Sequence, residues 1–180
     1  ADNLIYLKNK NLNFFPNIVS FNNTYLISKY IISDNKKPTV ISKNCIEILN
    51  KLHSIKSEKY GFFFDTQIGG VRQENKFRNN WVDFFLNQRF LKTFNLINMS
   101  DPMPRDINHG IESIFKNLHN LIPKNPQPTL LHGDLWKGNI LFKNEKVVGL
   151  LDPGSVFGHN AMEIAYLRWF EKKIYNDKFI

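Results

Sequence analysis

Residues 24–31 read TYLISKYI, alternating apolar and polar side chains after an Asn-Asn pair suited to a turn, and this period of two predicts a strand. A polar break, SDNKKP (33–38), leads into TVISKNCIEILNKLHS, where Ile41, Cys45, Ile48, Leu49 and Leu52 recur at helical spacing. A second helix is expected over 79–94. Asparagines able to cap it precede Trp81, Phe84, Phe85 and Phe90 or Leu91 on one broad face. A third, over 106–121, carries Ile107, Ile111, Ile114, Phe115, Leu118 and Leu121. Three prolines between 122 and 128 end regular structure by removing backbone donors. Three short apolar runs follow, TLL, ILF and VVGLL, each the length of a small strand. The Gly69-Gly70 pair has no second phosphate-loop element beside it and reads as a turn.

This order of elements predicts an α+β domain, and 180 residues suffice for one core. No apolar run approaches the roughly 20 residues of a bilayer span, so no membrane role is expected. The single cysteine, Cys45, sits at core spacing on the first helix and reads as a packing residue that suits a reducing, cytoplasmic setting. The net charge of +8 (24 basic minus 16 acidic residues) favours anionic ligands in general. The lysines are scattered and no recognition motif accompanies them, so nucleic-acid binding is not expected.

The stretch LLHGDLWKGNILF (130–142) carries the chemistry. Asp134 and Asn139 lie five positions apart on a loop between two apolar runs, and Asp152 ends the next run, VVGLLDPG. A carboxylate base, an amide able to hold metal and then a second carboxylate past the next strand is the order that phosphoryl transfer from ATP uses. An Asp and an Asn on a loop are by themselves ordinary turn formers, so the weight rests on the flanking HG, LWKGN and DPG.

The interval matches the catalytic loop of protein kinases, with HGD standing where they carry His-Arg-Asp. HGDLWKGN resembles the corresponding loop of the fructosamine kinase (ketosamine 3-kinase) family. Two further blocks support the resemblance in the right order: YGFFFDTQIGGVRQENKFRNNWVDFFLNQRFL (60–91) and DPGSVFGHNAMEIAY (152–166). Together they cover nearly the whole chain.

The resemblance implies a protein-kinase-like fold that phosphorylates the 3-hydroxyl of a ketosamine with ATP and Mg2+, a reaction that repairs glycated amines and proteins. It implies that Asp134 is the base and that Asn139 and Asp152 hold the metal. Ser28, Lys29, Tyr30 and Ile31 would form the hinge on the adenine edge, with Leu141 beneath the ring. Trp136, His159, Trp81 and Arg89 are candidates for the sugar-side wall. Trp81 is equally readable as core, Arg89 as a solvated helix residue, and His132 and His53 as structural. Lys137 is not expected to be catalytic.

The resemblance further implies an N-lobe remnant and hinge over 1–32 and a helical C-lobe over 33–180. A glycine-rich phosphate loop and a strand lysine would precede the hinge, yet the first glycine is Gly61, so the chain reads as a segment shortened at both ends. Such a segment is expected to be inactive alone. Ala161 stands where the family pattern has a glutamate, while Glu163 keeps the later acid. Alternatives are an aminoglycoside- or choline-type phosphotransferase and a non-catalytic kinase-like module.

Overall fold

The computed structural model describes residues 1–34 and 36–175. Asn35, within the expected polar break, and residues 176–180, the end of the expected C-lobe, lie outside the described residues. Helix α1 (Asp2–Asn9) buries Leu4 and Leu7. A short hairpin follows, β1 (Ile18–Phe21) with β2 (Leu26–Ser28). The expected strand over 24–31 thus narrows to three residues, because pairing requires a partner and β1 offers four. Beyond it only the Lys29 N–H still reaches back, to the Asn17 carbonyl at 2.8 Å.

Helix α2 (Lys43–His53) begins at Ser42, whose hydroxyl accepts the Cys45 N–H, and it buries Cys45, Leu49, Leu52 and His53. Burial pushes the Cys45 thiol up to about 11, as suits a packing residue. The Gly-Gly pair sits at the tip of an unanticipated hairpin, β3 (Thr66–Ile68) with β4 (Val71–Gln73), at φ of 52° and 84°. Asn80 caps helix α3 (Trp81–Phe85), accepting the Asp83 N–H.

One helix was expected over 79–94. Instead a π-helical turn, Leu86–Phe90, separates α3 from α4 (Leu91–Ser100). The turn carries Gln88 and Arg89 toward residues 74–76, where their side chains donate to the carbonyls of Lys76 and Glu74. Helix α5 (Arg105–Leu121) meets α4 through Phe115, whose ring lies 5.3 Å from Phe94 and 5.9 Å from Phe90.

The three apolar runs become β5 (Thr129–Leu131), β6 (Ile140–Lys143) and β7 (Lys146–Leu150). β6 and β7 form a hairpin through Asn144 and Glu145, both at positive φ. β5 pairs instead with β8 (Val156–Gly158), which leads into helix α6 (Asn160–Phe170). The main core joins α1, α2 and these strands through Leu7, Leu52, Leu130, Leu150 and Leu167. A smaller one gathers Tyr60, Trp81, Phe84, Leu131 and Val156.

Candidate active site

Two strand pairs bring the loop and the later carboxylate together. The loop 132–139 leaves β5 and enters β6, while β7 ends beside Asp152. In the β6–β7 register Ile140 faces Leu150, and the Leu151 N–H donates to the Asn139 carbonyl at 2.8 Å. Asn139 and Asp152 therefore emerge side by side at one hairpin end. Leu135, 1% exposed, anchors the loop in the core directly after Asp134.

Gly133 is required where it stands. Its φ is 85°, and a Cβ there would lie 2.1 Å from the Gly154 carbonyl oxygen. His132 is fully buried. Its Nε2 meets the Leu151 carbonyl at 2.8 Å, and its Nδ1 accepts the Asp134 N–H at 3.2 Å. Since a carbonyl only accepts, Nε2 carries the hydrogen, and one neutral ring ties the Asp134 loop to the residue before Asp152. Burial holds this imidazole below the usual histidine range, against the pull of the Glu163 carboxylate.

Asn139 donates its amide hydrogens to the Asp134 backbone carbonyl at 2.8 Å and to Asp134 Oδ2 at 3.1 Å. Both partners are acceptors, so the side-chain carbonyl of Asn139 is the atom left over to serve as an oxygen ligand. Tyr166 of α6 donates to Asp134 Oδ1 at 3.3 Å. Burial raises the Asp134 carboxyl above the ordinary range, the Tyr166 and Asn139 hydrogen bonds oppose this, and the charge of Asp152 adds to it. Asp134, Asn139 and Asp152 line one open cleft of about 1110 Å³, together with Trp136, Tyr166 and Phe170.

The model of the fructosamine kinase family matches residues 1–179. The chain belongs to the fructosamine kinase family. A protein named probable ketoamine kinase from Pasteurella multocida is 30% identical over 177 residues, 95% of this chain and 60% of that protein. A chloroplastic protein-ribulosamine 3-kinase from rice (Oryza sativa subsp. indica) is 32% identical over 136 residues, 73% of this chain and 40% of that one. A crystal structure assigned as a fructosamine-3-kinase from Haemophilus somnus superposes at TM-score 0.81 with 25% identity, covering 99% of this chain and 60% of that chain. The chain thus spans at most about three fifths of these relatives. The fold is the protein-kinase-like α+β fold that the resemblance implies.

Within this member of the fructosamine kinase family, the residues expected on the sugar side separate. Trp136 lines the cleft, its ring folded over Gly138 and 5.7 Å from Phe170. Trp81 does not line it. Only 2% exposed, it stacks on Phe84 and Phe85 in the smaller core, so its wall role is corrected to packing. Arg89 donates to the Glu74 carbonyl and Asn75 Oδ1 and lines a cavity of about 340 Å³ that adjoins the cleft at Ile68 and Tyr166. His159 precedes α6 and lies edge-on to Trp81 at 6.4 Å.

Of the residues expected around adenine, Ser28 lines the cleft. Tyr30 is 84% exposed, and Ile31 packs on Gly149, which pairs with Leu141, while neither Lys29 nor Leu141 lines the cleft. Sequence reasoning missed Tyr166 and Phe170 as cleft residues. Their signal was the helical spacing from Glu163, which sets residues 163, 166 and 170 along one face of α6.

The correction at Trp81 is testable. Trp81→Ala is expected to cost about 3–5 kcal/mol of stability, the scale of a buried aromatic replaced by a cavity. Equilibrium denaturation checks this. An unchanged midpoint would return Trp81 to the candidate wall residues.

Proposed function

We propose that the complete protein transfers the γ-phosphoryl group of ATP to the 3-hydroxyl of a ketosamine, repairing glycated amines or proteins in the cytoplasm. The observation that carries this reading is the convergence of Asp134, Asn139 and Asp152 on one cleft in a chain of the fructosamine kinase family. Asp134 takes or orients the hydroxyl proton while the new P–O bond forms and the bond to the β-phosphate oxygen breaks. Its raised carboxyl makes it a better base than an exposed aspartate.

The donors fit magnesium: one carboxylate and one amide oxygen, with phosphate oxygens and water left to complete the shell. Among the described residues no group of three or more His, Cys, Asp or Glu side chains forms a closed metal cage. When bound, Mg2+ neutralises charge developing on the phosphates. Asn139 and Asp152 would hold it, and the Asn139 amide hydrogens keep Asp134 aligned meanwhile. Residues 1–32 supply the end of the N-lobe and the hinge, with Ser28 on the adenine side of the cleft, and the described residues after them supply the C-lobe. The sugar-side wall is Trp136 with Tyr166 and Phe170.

A substrate panel tests the reading. With ATP, the complete protein is expected to show kcat/KM at least about 100-fold higher on a fructosyl- or ribulosyl-amine than on kanamycin or choline, since buried polar groups built for one hydroxyl pattern reject another strongly. Preferred turnover of kanamycin or choline would overturn it.

A further inference from the structure

Arg89 is a half-buried cation on the π-helical turn, and among the described residues no carboxylate lies within ion-pair distance of it. Its Nη1 donates to the Glu74 and Gln88 carbonyls at 2.8 and 2.9 Å, and its Nη2 donates to Asn75 Oδ1 at 2.6 Å. These acceptors are neutral, and they leave the Nε hydrogen and one Nη2 hydrogen unused. The surrounding acids are engaged elsewhere. Asp65 pairs with Arg72 at 2.6 Å and Glu74 with Lys92, while Glu163 meets His53 Nε2 at 2.7 Å and accepts the Gly133 N–H at 3.0 Å.

A half-buried charge without a counter-ion is costly. Burial pulls the Arg89 guanidinium down to about 10, with Asp65 pulling the other way. The ring of Phe84, its centroid 4.8 Å from the guanidinium carbon, offers a face but no negative charge. An anion reaching this cation would meet donors already aligned and partly stripped of water, so little is lost on binding. The space for it is the cavity of about 340 Å³ that Arg89 lines, at the small end of ligand sites. Ile68, Val71, Phe85, Leu135 and Met162 make its walls largely apolar, and Glu163 borders it with both oxygens already bonded. Gly133 and Leu135 flank Asp134 in the chain and line this cavity, and Ile68 and Tyr166 line both it and the cleft. A molecule whose hydroxyl meets Asp134 therefore has the cavity beside it.

Resting on the phosphotransfer reading above, we propose that this cavity takes the amine portion of the ketosamine and that Arg89 binds a carboxylate carried on it. The substrate is then the ketosamine of a free amino acid with an apolar side chain, not a glycated lysine within a protein. In a ketosamine the nitrogen sits two carbons from the reacting 3-hydroxyl, and in an amino-acid adduct the carboxylate follows one carbon beyond the nitrogen. Sugar, apolar side chain and anion thus match the cleft, the apolar walls and Arg89. A glycated lysine side chain brings no carboxylate to that position, and its polypeptide exceeds a space of this size.

The experiment compares fructosyl-valine with fructosyl-isobutylamine, the same adduct without its carboxylate. With ATP, the complete protein is expected to show kcat/KM at least about 10-fold higher on the valine adduct, the scale of one charge-assisted pair. A smaller preference, or faster turnover of a glycated protein, would overturn the inference. In Arg89→Gln the ratio between the two adducts is expected to fall to about threefold or less, and a higher ratio would overturn it as well. If Arg89→Gln does not fold, the wild-type protein decides through the nitrogen resonance of Arg89 Nε. That signal is expected to shift when the valine adduct binds and to stay in place with the isobutylamine adduct. A shift with both adducts, or with neither, would overturn the inference. This readout needs no turnover. If it reports carboxylate-dependent binding while no ketosamine is phosphorylated, the proposed function fails and the carboxylate site at Arg89 stands.

Discussion

In the complete protein, on the function proposed above, Asp134→Asn is expected to lower ketosamine phosphorylation by about 1,000-fold, roughly 4 kcal/mol of transition-state stabilisation, while leaving nucleotide affinity nearly unchanged. The amide keeps the size of the side chain but cannot take the hydroxyl proton. It also faces the Asn139 amide nitrogen, which now donates to Asp134 Oδ2 at 3.1 Å. The new side chain can turn its own carbonyl toward Asn139, so the loop should hold and the loss should appear in kcat rather than in folding. A coupled assay of ADP release, run beside calorimetry of ATP binding, separates the two. Wild-type turnover in Asp134→Asn would remove the base role and leave Asp134 as a loop residue.

The sequence showed the local parts of the fold and was blind to what long-range contacts decide. Helix α2 was legible because apolar spacing acts within a few residues, and the structure adds the Ser42 cap that starts it. The π turn was not, because it depends on Gln88 and Arg89 reaching carbonyls more than ten positions away. Trp81 shows the same limit differently. Its spacing with Phe84 and Phe85 announces a buried face, and no local pattern says whether that face meets a core or a ligand. Helix α5 has the clearest apolar stripe in the chain, yet Leu118 alone among its described residues is buried, while Ile107 and Ile114 are nearly half exposed.

For the candidate site, chemistry was more legible than support. That Asp134, Asn139 and Asp152 would meet could be read from type, order and interval, since the loop and the hairpin after it are close in sequence, and the three line one cleft. The groups that hold them are not close. His53 and Glu163 are 110 positions apart, and Tyr166 reaches Asp134 across 32. A side chain's partners at such distances follow from how α2 and α6 pack on the strands, which periodicity cannot express.

In the complete protein, on the same proposal, Asp152→Ala is expected to weaken Mg-ATP binding about 100-fold, near 3 kcal/mol, and to change magnesium-free nucleotide binding little. The asymmetry follows from how the site is built. Asp152 is an exposed carboxylate at a left-handed backbone position, φ 47°, set at the end of β7 by the Leu151–Asn139 and Leu151–His132 hydrogen bonds. Those bonds use the backbone of Leu151, so they survive loss of the Asp152 side chain, and the loop geometry should persist. What disappears is the carboxylate that the proposal sets against the cation beside the Asn139 carbonyl oxygen, while Asp134 stays tied to Asn139 and Tyr166. Without metal, the same carboxylate would repel the phosphates, so its removal could even strengthen nucleotide binding slightly. Calorimetry with and without magnesium measures both terms, and equal losses in the two titrations would take Asp152 out of the metal site.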